Sequence, residues 1–305
     1  MIRLNISNET NDLEAVLLGI AESFGGPLDI DQCYDPTSKK NILEGTFPLE
    51  KDIVPEIEEF CSILKKYNVQ VFRPKEKKGL NQIFTRDIAF VIDDKIVLPN
   101  IIKDRQEELS HIKFILDQVP NNSILKMPDD ARVEGGDVIV CNDFLFIGFS
   151  EKNDFEKYKV SRTNKLGVTF LEKQFKNKKI KSFELNKSDN DPLRNALHLD
   201  CCFQPIGLDK AILFDGGFKN KNDVEFIIDH FKDDNIIRIN RNEMYEMCAN
   251  VFSISNNVIV SQKKYFRLNN VLREKGFTVE ELKYSEISKM GGLLRCSTMP
   301  LRRKK

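Results

Sequence analysis

Ile88-Ala-Phe-Val-Ile-Asp-Asp-Lys-Ile-Val-Leu98 sets two short apolar runs on either side of Asp93-Asp94, the layout of a β-hairpin turning on residues that tolerate positive φ. Downstream, Leu109, Ile112, Leu116 and Val119 recur at helical spacing, and Ile124-Leu-Lys-Met127 closes the block as a third strand. The order strand, turn, strand, helix, strand then returns three times. Asp137 to Ile147 turns at Asn142-Asp143 and is followed by a helix over about 161–175 and the strand Ile180 to Glu184. Leu199 to Phe214 turns through Gly207-Leu-Asp-Lys210, with Val224, Ile227, Ile228 and Phe231 on one helix face and Ile236 to Ile239 as its strand. Val251 to Ser261 turns at Asn256-Asn257, and a helix carrying Leu268, Val271 and Leu272 stops at Gly276 before Phe277-Thr-Val-Glu280.

Ahead of the first copy stand an apolar strand, Val16 to Ala21, and a polar stretch to Pro48 that reads as a long loop. An amphipathic helix over about 51–66, bearing Ile53, Ile57, Phe60, Cys61 and Leu64, leads to the strand Val69 to Pro74. Only a leading strand is missing from this unit, and the stretch around Cys296 supplies one from the far end of the chain. The expected fold is therefore α/β: a five-bladed α/β propeller of ββαβ units in a single domain, residues 1–305, with the fifth unit closed between N- and C-terminal strands. Radial repetition of this kind removes exposed sheet edges. Two ordinary α/β domains are the alternative.

Composition narrows the function classes. Lys+Arg and Asp+Glu each total 47, so the net charge is zero and polyanion binding is disfavoured. The seven cysteines include no CxxC pair and there are three histidines, which argues against a zinc site or a disulfide framework. The start lacks the basic-then-apolar layout of a signal peptide, and no apolar run approaches the ~20 residues of a membrane helix. A cytoplasmic protein is expected, and the terminal Arg302-Arg-Lys-Lys305 reads as a solvated, frayed end.

If the units are equivalent, the residues just before each hairpin face the same part of the molecule. These are Asp87, Gly136, His198, Asn250 and Arg295, with Glu134, Asp137, Asp200 and Cys296 within two places of them. One thiol, one imidazole and several carboxylates have a chemical meaning together. A thiolate attacks an electrophilic carbon, histidine moves protons, and carboxylates bind a cation. A planar guanidinium satisfies paired carboxylates bidentately, and its central carbon is the electrophile. Cys201, Cys202 and Cys248 read as small core residues, and His111 and His230 as structural members of helices.

Phe84-Thr-Arg-Asp87, Glu134-Gly-Gly-Asp137, His198-Leu-Asp200 and Gly291-Gly-Leu-Leu-Arg-Cys296, in this order, resemble the guanidino-group-modifying enzyme superfamily, the pentein fold. That resemblance spans most of the chain and covers arginine deiminases, agmatine deiminases, dimethylargininases and amidinotransferases. It implies Cys296 as nucleophile, His198 as proton carrier, Glu134 as the group orienting the histidine, and Asp87 and Asp200 as the guanidinium clamp. Arg86, Arg132, Arg162 and Arg295 are candidates for a substrate carboxylate, Arg162 first, and Asn250 lines the site or braces it.

The reaction so implied is cysteine-dependent hydrolysis of the guanidino group of arginine or an arginine derivative, deiminase-like or dimethylargininase-like, through an amidino-cysteine intermediate. No cofactor and no metal is required. Glu134-Gly-Gly-Asp137 and Arg295-Cys-Ser-Thr-Met-Pro300 look more like the deiminase branch, whereas Arg86 to Pro99, with Arg105 beyond, looks like the amidinotransferase branch. Amidino transfer from arginine to an amine is thus the alternative, and a non-catalytic binding protein on the same fold is the second. The expected partners are a small guanidino substrate and, at most, a second copy of the chain in a homodimer, with no nucleic acid and no membrane.

Overall fold

The computed structural model describes residues 1–304. β1 (Leu13–Leu18), the helix Glu50–Lys66 and β2 (Gln70–Phe72) come first. Next are β3 (Phe90–Ile92), β4 (Lys95–Leu98) and β5 (Ile124–Lys126), then β6 (Val138–Cys141), β7 (Phe144–Phe149) and β8 (Lys179–Glu184). β9 (Phe203–Ile206), β10 (Lys210–Leu213) and β11 (Ile236–Arg238) precede β12 (Phe252–Ser253), β13 (Val258–Gln262) and β14 (Thr278–Leu282). β15 (Thr298–Arg303) is last.

These strands form a mixed α/β fold of five three-stranded sheets with one design. In each, the leading strand pairs antiparallel with the middle strand, and the middle strand pairs parallel with the trailing one. A tight turn serves the antiparallel pair, whereas the parallel pair needs a crossover, which helices such as Lys165–Gln174, Lys221–Phe231 and Phe266–Glu274 provide. Asp93 and Asn142 adopt positive φ, 50° and 52°, at the turns anticipated for them. In the sheet split between the chain ends, β15 runs antiparallel to β1, with Val16 opposite Pro300 and Leu17 opposite Met299, and β2 lies on the other side.

β1 is buried on both faces, which is why it reads as a continuous apolar run rather than an alternating one. Its Val16 and Leu18 join the apolar cluster that holds Ile53, Ile57, Phe60 and Leu64 of the long helix. Ala15 and Leu17 join a second cluster with Ile88, Val97, Met299 and Leu301. No helix among the described residues is long and apolar enough to cross a membrane.

Several local expectations are corrected. The segment after β4 is a 3-10 helix, Lys103–Ile112, followed by a single α-turn, Lys113–Leu116. Its three-residue period stacks Arg105 on Glu108 and turns both inward. The long loop contains a helix, Pro36–Leu43, started by Asp35, whose carboxylate accepts from Ser38 N at 2.8 Å. The helix placed over 161–175 begins at Lys165 with Asn164 as its cap, so Arg162 lies on the extended segment before it. Cys296 sits in the turn ahead of β15, not within a strand.

The basic tail is not frayed at Arg302 and Arg303. Arg303 is 1% exposed and donates to Asn11 O at 2.6 Å and Ser253 O at 2.8 Å. Its guanidinium lies over the Phe252 ring. Lys304 N also donates to Asp12 O, while Lys305 lies outside the described residues.

Because Leu17 is fully buried in the sheet that joins the two chain ends, Leu17→Ala should cost about 2–5 kcal/mol of stability, read as a shift in the denaturant midpoint.

Candidate active site

The loops that lead into the five sheets are hydrogen-bonded to one another in a closed series. Arg86 N donates to Cys296 O at 3.0 Å, Gly136 N to Asp87 Oδ1 at 3.1 Å, and Leu199 N to Asp137 Oδ1 at 3.0 Å. Asn250 Nδ2 donates to Asp200 O at 3.5 Å, and Cys296 N donates to Asn250 Oδ1 at 3.1 Å, which returns the series to its start. Each loop therefore positions a functional side chain and braces its neighbour. Asn250 contacts the backbone of Cys296 rather than facing open space.

Cys296 is 3% exposed, and its Sγ lies 3.9 Å from Asp200 Oδ2. Burial, with the Asp200 and Asp87 carboxylates, pushes its thiol well above the ordinary cysteine range. His198 lies between two carboxylates, Nε2 at 2.9 Å from Glu134 Oε2 and Nδ1 at 3.7 Å from Asp87 Oδ1. Burial alone would lower its pKa, yet Asp87 and the Glu134 hydrogen bond raise it to about 9. Burial alone would raise the Glu134 carboxyl, but Arg162 and His198 outweigh that and hold it well below the usual range.

Gly136 is required by this packing. A Cβ there would come within 2.6 Å of the His198 Nδ1, so only glycine lets the imidazole lie against the backbone. Gly291, ahead of the cysteine, has φ +80° and would set a Cβ 2.6 Å from Asp35 Oδ1.

The arginines divide sharply. Arg162 Nη1 donates to both oxygens of Glu134, at 3.3 and 3.1 Å, while its Nη2 donates to Tyr34 O at 2.5 Å. It thereby joins the site to the segment that covers it. Arg295 Nη1 donates to Asp200 Oδ2 at 2.8 Å and Nη2 to Glu9 Oε1 and Val138 O, so both terminal nitrogens are engaged within the protein. Arg86 is buried, with Nε donating to Arg295 O at 3.4 Å, and Arg132 is half-buried.

Arg105, noted in the sequence only as a branch marker, belongs to the site. It donates to Asp87 Oδ2 at 2.7 Å, to Phe84 O at 2.6 Å and to both oxygens of Glu108. Glu9 was missed entirely. The sequence signal for Arg105 is its place four residues before Leu109 and seven before Ile112, on the apolar face of the segment, with Glu108 three residues on as its partner.

Asp87, Glu134 and His198 each offer an atom within 4.8 Å of the others, a spacing a metal ion accepts. The same oxygens already serve Arg105, Arg162 and His198, so guanidinium groups fill the cation role there. A cavity of about 160 Å³ adjoins the site beneath residues 24–47, lined in part by Tyr34, Asp35, Glu108 and Met290.

Five like sheets, with a thiol, an imidazole and carboxylates on their linked leading loops, define a protein of the guanidino-group-modifying superfamily, the penteins. Within it the chain belongs to the family described as N,N dimethylarginine dimethylhydrolase, eukaryotic, whose family model matches residues 37–303. It is 30% identical over 242 residues to the uncharacterized protein YkgA of Bacillus subtilis (strain 168), covering 78% of this chain and 76% of that one. An arginine deiminase of Streptococcus sanguinis is 24% identical over 283 residues, with 75% of this chain matched to 66% of the deiminase. This chain therefore spans slightly less than two thirds of that relative's length.

Solved structures share the fold. The N-terminal domain of ArgZ, an arginine dihydrolase from Cyanobacteria, superposes with a TM-score of 0.77 at 20% identity, over 96% of this chain and 98% of that one. SxtG, an amidinotransferase from Microseira wollei, gives 0.79 at 18% identity, over 99% and 98%.

The His198 imidazole should stay protonated through neutral pH and titrate near 9, and Glu134→Gln should lower that value, both followed by NMR of the ring carbons. An unfolded histidine titrates at about 6.5. The stabilisation from His198 is thus fully present below that value and is lost as pH rises through about 9.

Proposed function

We propose that this protein is a cysteine-dependent hydrolase of the guanidino group of arginine or an arginine derivative, working through a covalent amidino-cysteine. The observation that carries the reading is the convergence of Cys296, His198, Glu134, Asp87 and Asp200 from four of the five sheet-leading loops, all buried. In the same reading the five sheets are blades of a five-bladed α/β propeller, closed by the pairing of β15 with β1. The cyclic series of hydrogen bonds supports that closure.

Asp87 and Asp200 receive the substrate guanidinium. A cation beside Cys296 offsets the carboxylates that hold its thiol protonated, so the thiol gives its proton to water as substrate binds and becomes the thiolate. The sulfur attacks the guanidinium carbon, a C–S bond forms and the C–N bond to the leaving amine breaks. His198, protonated in the free protein, gives that amine its proton. The neutral imidazole then takes a proton from water, whose oxygen displaces the thiolate and leaves a ureido product.

Arg162 grips the substrate carboxylate by exchanging its contact with Tyr34 O for that group, which couples ligand entry to release of the covering segment. Arg105 holds Asp87 in place. The family match and the arginine deiminase relatives support hydrolysis over transfer.

Incubation with arginine, methylated arginines and agmatine should release ammonia or an alkylamine together with a ureido product. No turnover of any of them would sink the reading, and formation of a new guanidino compound on addition of glycine or lysine would favour transfer instead. Cys296→Ala should abolish turnover. Asp87→Asn should lower kcat/KM by about two to three orders of magnitude, as expected when one partner of a buried ionic contact is removed.

A further inference from the structure

Glu9 lies outside the repeat, in an N-terminal segment that bridges from Ile6 to Asp93 and from Asn8 to Cys141, at the hairpin turns of two sheets. Asn8 Oδ1 accepts from Thr10 N and Asn11 N, and this turn delivers Glu9 to the buried side of the site. There its Oε1 accepts from Arg295 Nη2 at 3.0 Å and stands 3.8 Å from Arg86 Nη1. Arg303 adds a third guanidinium, and the three lower the Glu9 carboxyl to about 2 against its burial.

The cluster is short of anions. Arg86 Nη2, Arg295 Nε and Arg303 Nε are buried with no partner among the described residues. Burial and the neighbouring Arg295 push Arg86 down to about 9. Arg295 is the link to chemistry, because its Nη1 holds Asp200 Oδ2 at 2.8 Å and the same oxygen lies 3.9 Å from Cys296 Sγ.

We propose that Glu9 is a positioning residue for cation recognition: by pairing with Arg295 it leaves the negative charge of Asp200 available to a guanidinium beside Cys296. Without Glu9, Arg86 and Arg295 would be left to share Asp200, and an incoming cation would compete with both. This inference rests on the proposed role of Asp200 as a substrate clamp, and it explains a carboxylate that touches no reacting atom.

The test compares two alkylating probes at Cys296, read by mass spectrometry of the labelled peptide: 2-chloroacetamidine, an amidinium cation, and iodoacetamide, which is neutral. Wild type should favour the amidinium, and Glu9→Gln should lower the ratio of the two rate constants by about tenfold or more, the scale of losing a hydrogen bond to a charged group. Glu9→Asp, which keeps the charge, should hold the ratio within about threefold of wild type. A structural role alone would slow both probes together.

No amidinium preference in wild type would count against the guanidino site itself. A wild-type preference that Glu9→Gln leaves unchanged would overturn the role of Glu9, as would an equal loss in Glu9→Asp. Should Glu9→Gln not fold, Arg86→Gln decides. It removes a competitor for Glu9, so the ratio should match or exceed that of wild type, and a tenfold fall would refute the charge argument.

Discussion

A buried carboxylate costs several kcal/mol unless a cation and further hydrogen bonds stand beside it. Asp87, Glu134 and Asp200 are all buried, and each meets a different arginine: Arg105, Arg162 and Arg295 in turn. The site is thus a set of guanidinium–carboxylate pairs assembled before any substrate arrives. Under the proposed function, a substrate guanidinium would enter surroundings already arranged for that group, with an affinity that depends on how fully each internal arginine is compensated elsewhere.

That compensation reaches outward through the fold. Arg105 is balanced by Glu108 one 3-10 turn away, and Arg295 by Glu9 from the N-terminal segment. Arg162 donates its remaining N–H groups to Lys159 O and Tyr34 O. The elements that look least regular, a long 3-10 helix and the stretches before and after β1, hold these compensating carboxylates and the Tyr34 carbonyl. The strands, by contrast, supply much of the two apolar clusters.

The repeat of hairpin, helix and strand was legible because apolar periodicity and turn residues are local properties. Asp93 and Asn142 took the positive φ their sequence suited, and the helix carrying Ile53, Ile57, Phe60 and Leu64 buried that face. The positions before each hairpin brought Cys296, His198, Asp87, Asn250 and Arg295 into one neighbourhood. Arg303 misled for a physical reason. A run of basic residues at a chain end normally stays solvated, yet here it lies on the closing strand, with carbonyls and the Phe252 ring around it.

By itself, then, the sequence determined the five-fold repetition, the unit split between the chain ends, and which residue types stand at equivalent places. It also spread the thiol, the imidazole and the carboxylates over four leading loops, with His198 and Asp200 sharing one. Only the tertiary structure decided which arginine pairs with which carboxylate, that Arg105 and Glu9 belong with the site, and that Arg162 is tied to Tyr34 of the covering segment. The physical reason is range. Secondary structure follows from neighbours along the chain, whereas the balance of buried charge is a sum over groups from distant units and exists only once those units are packed together.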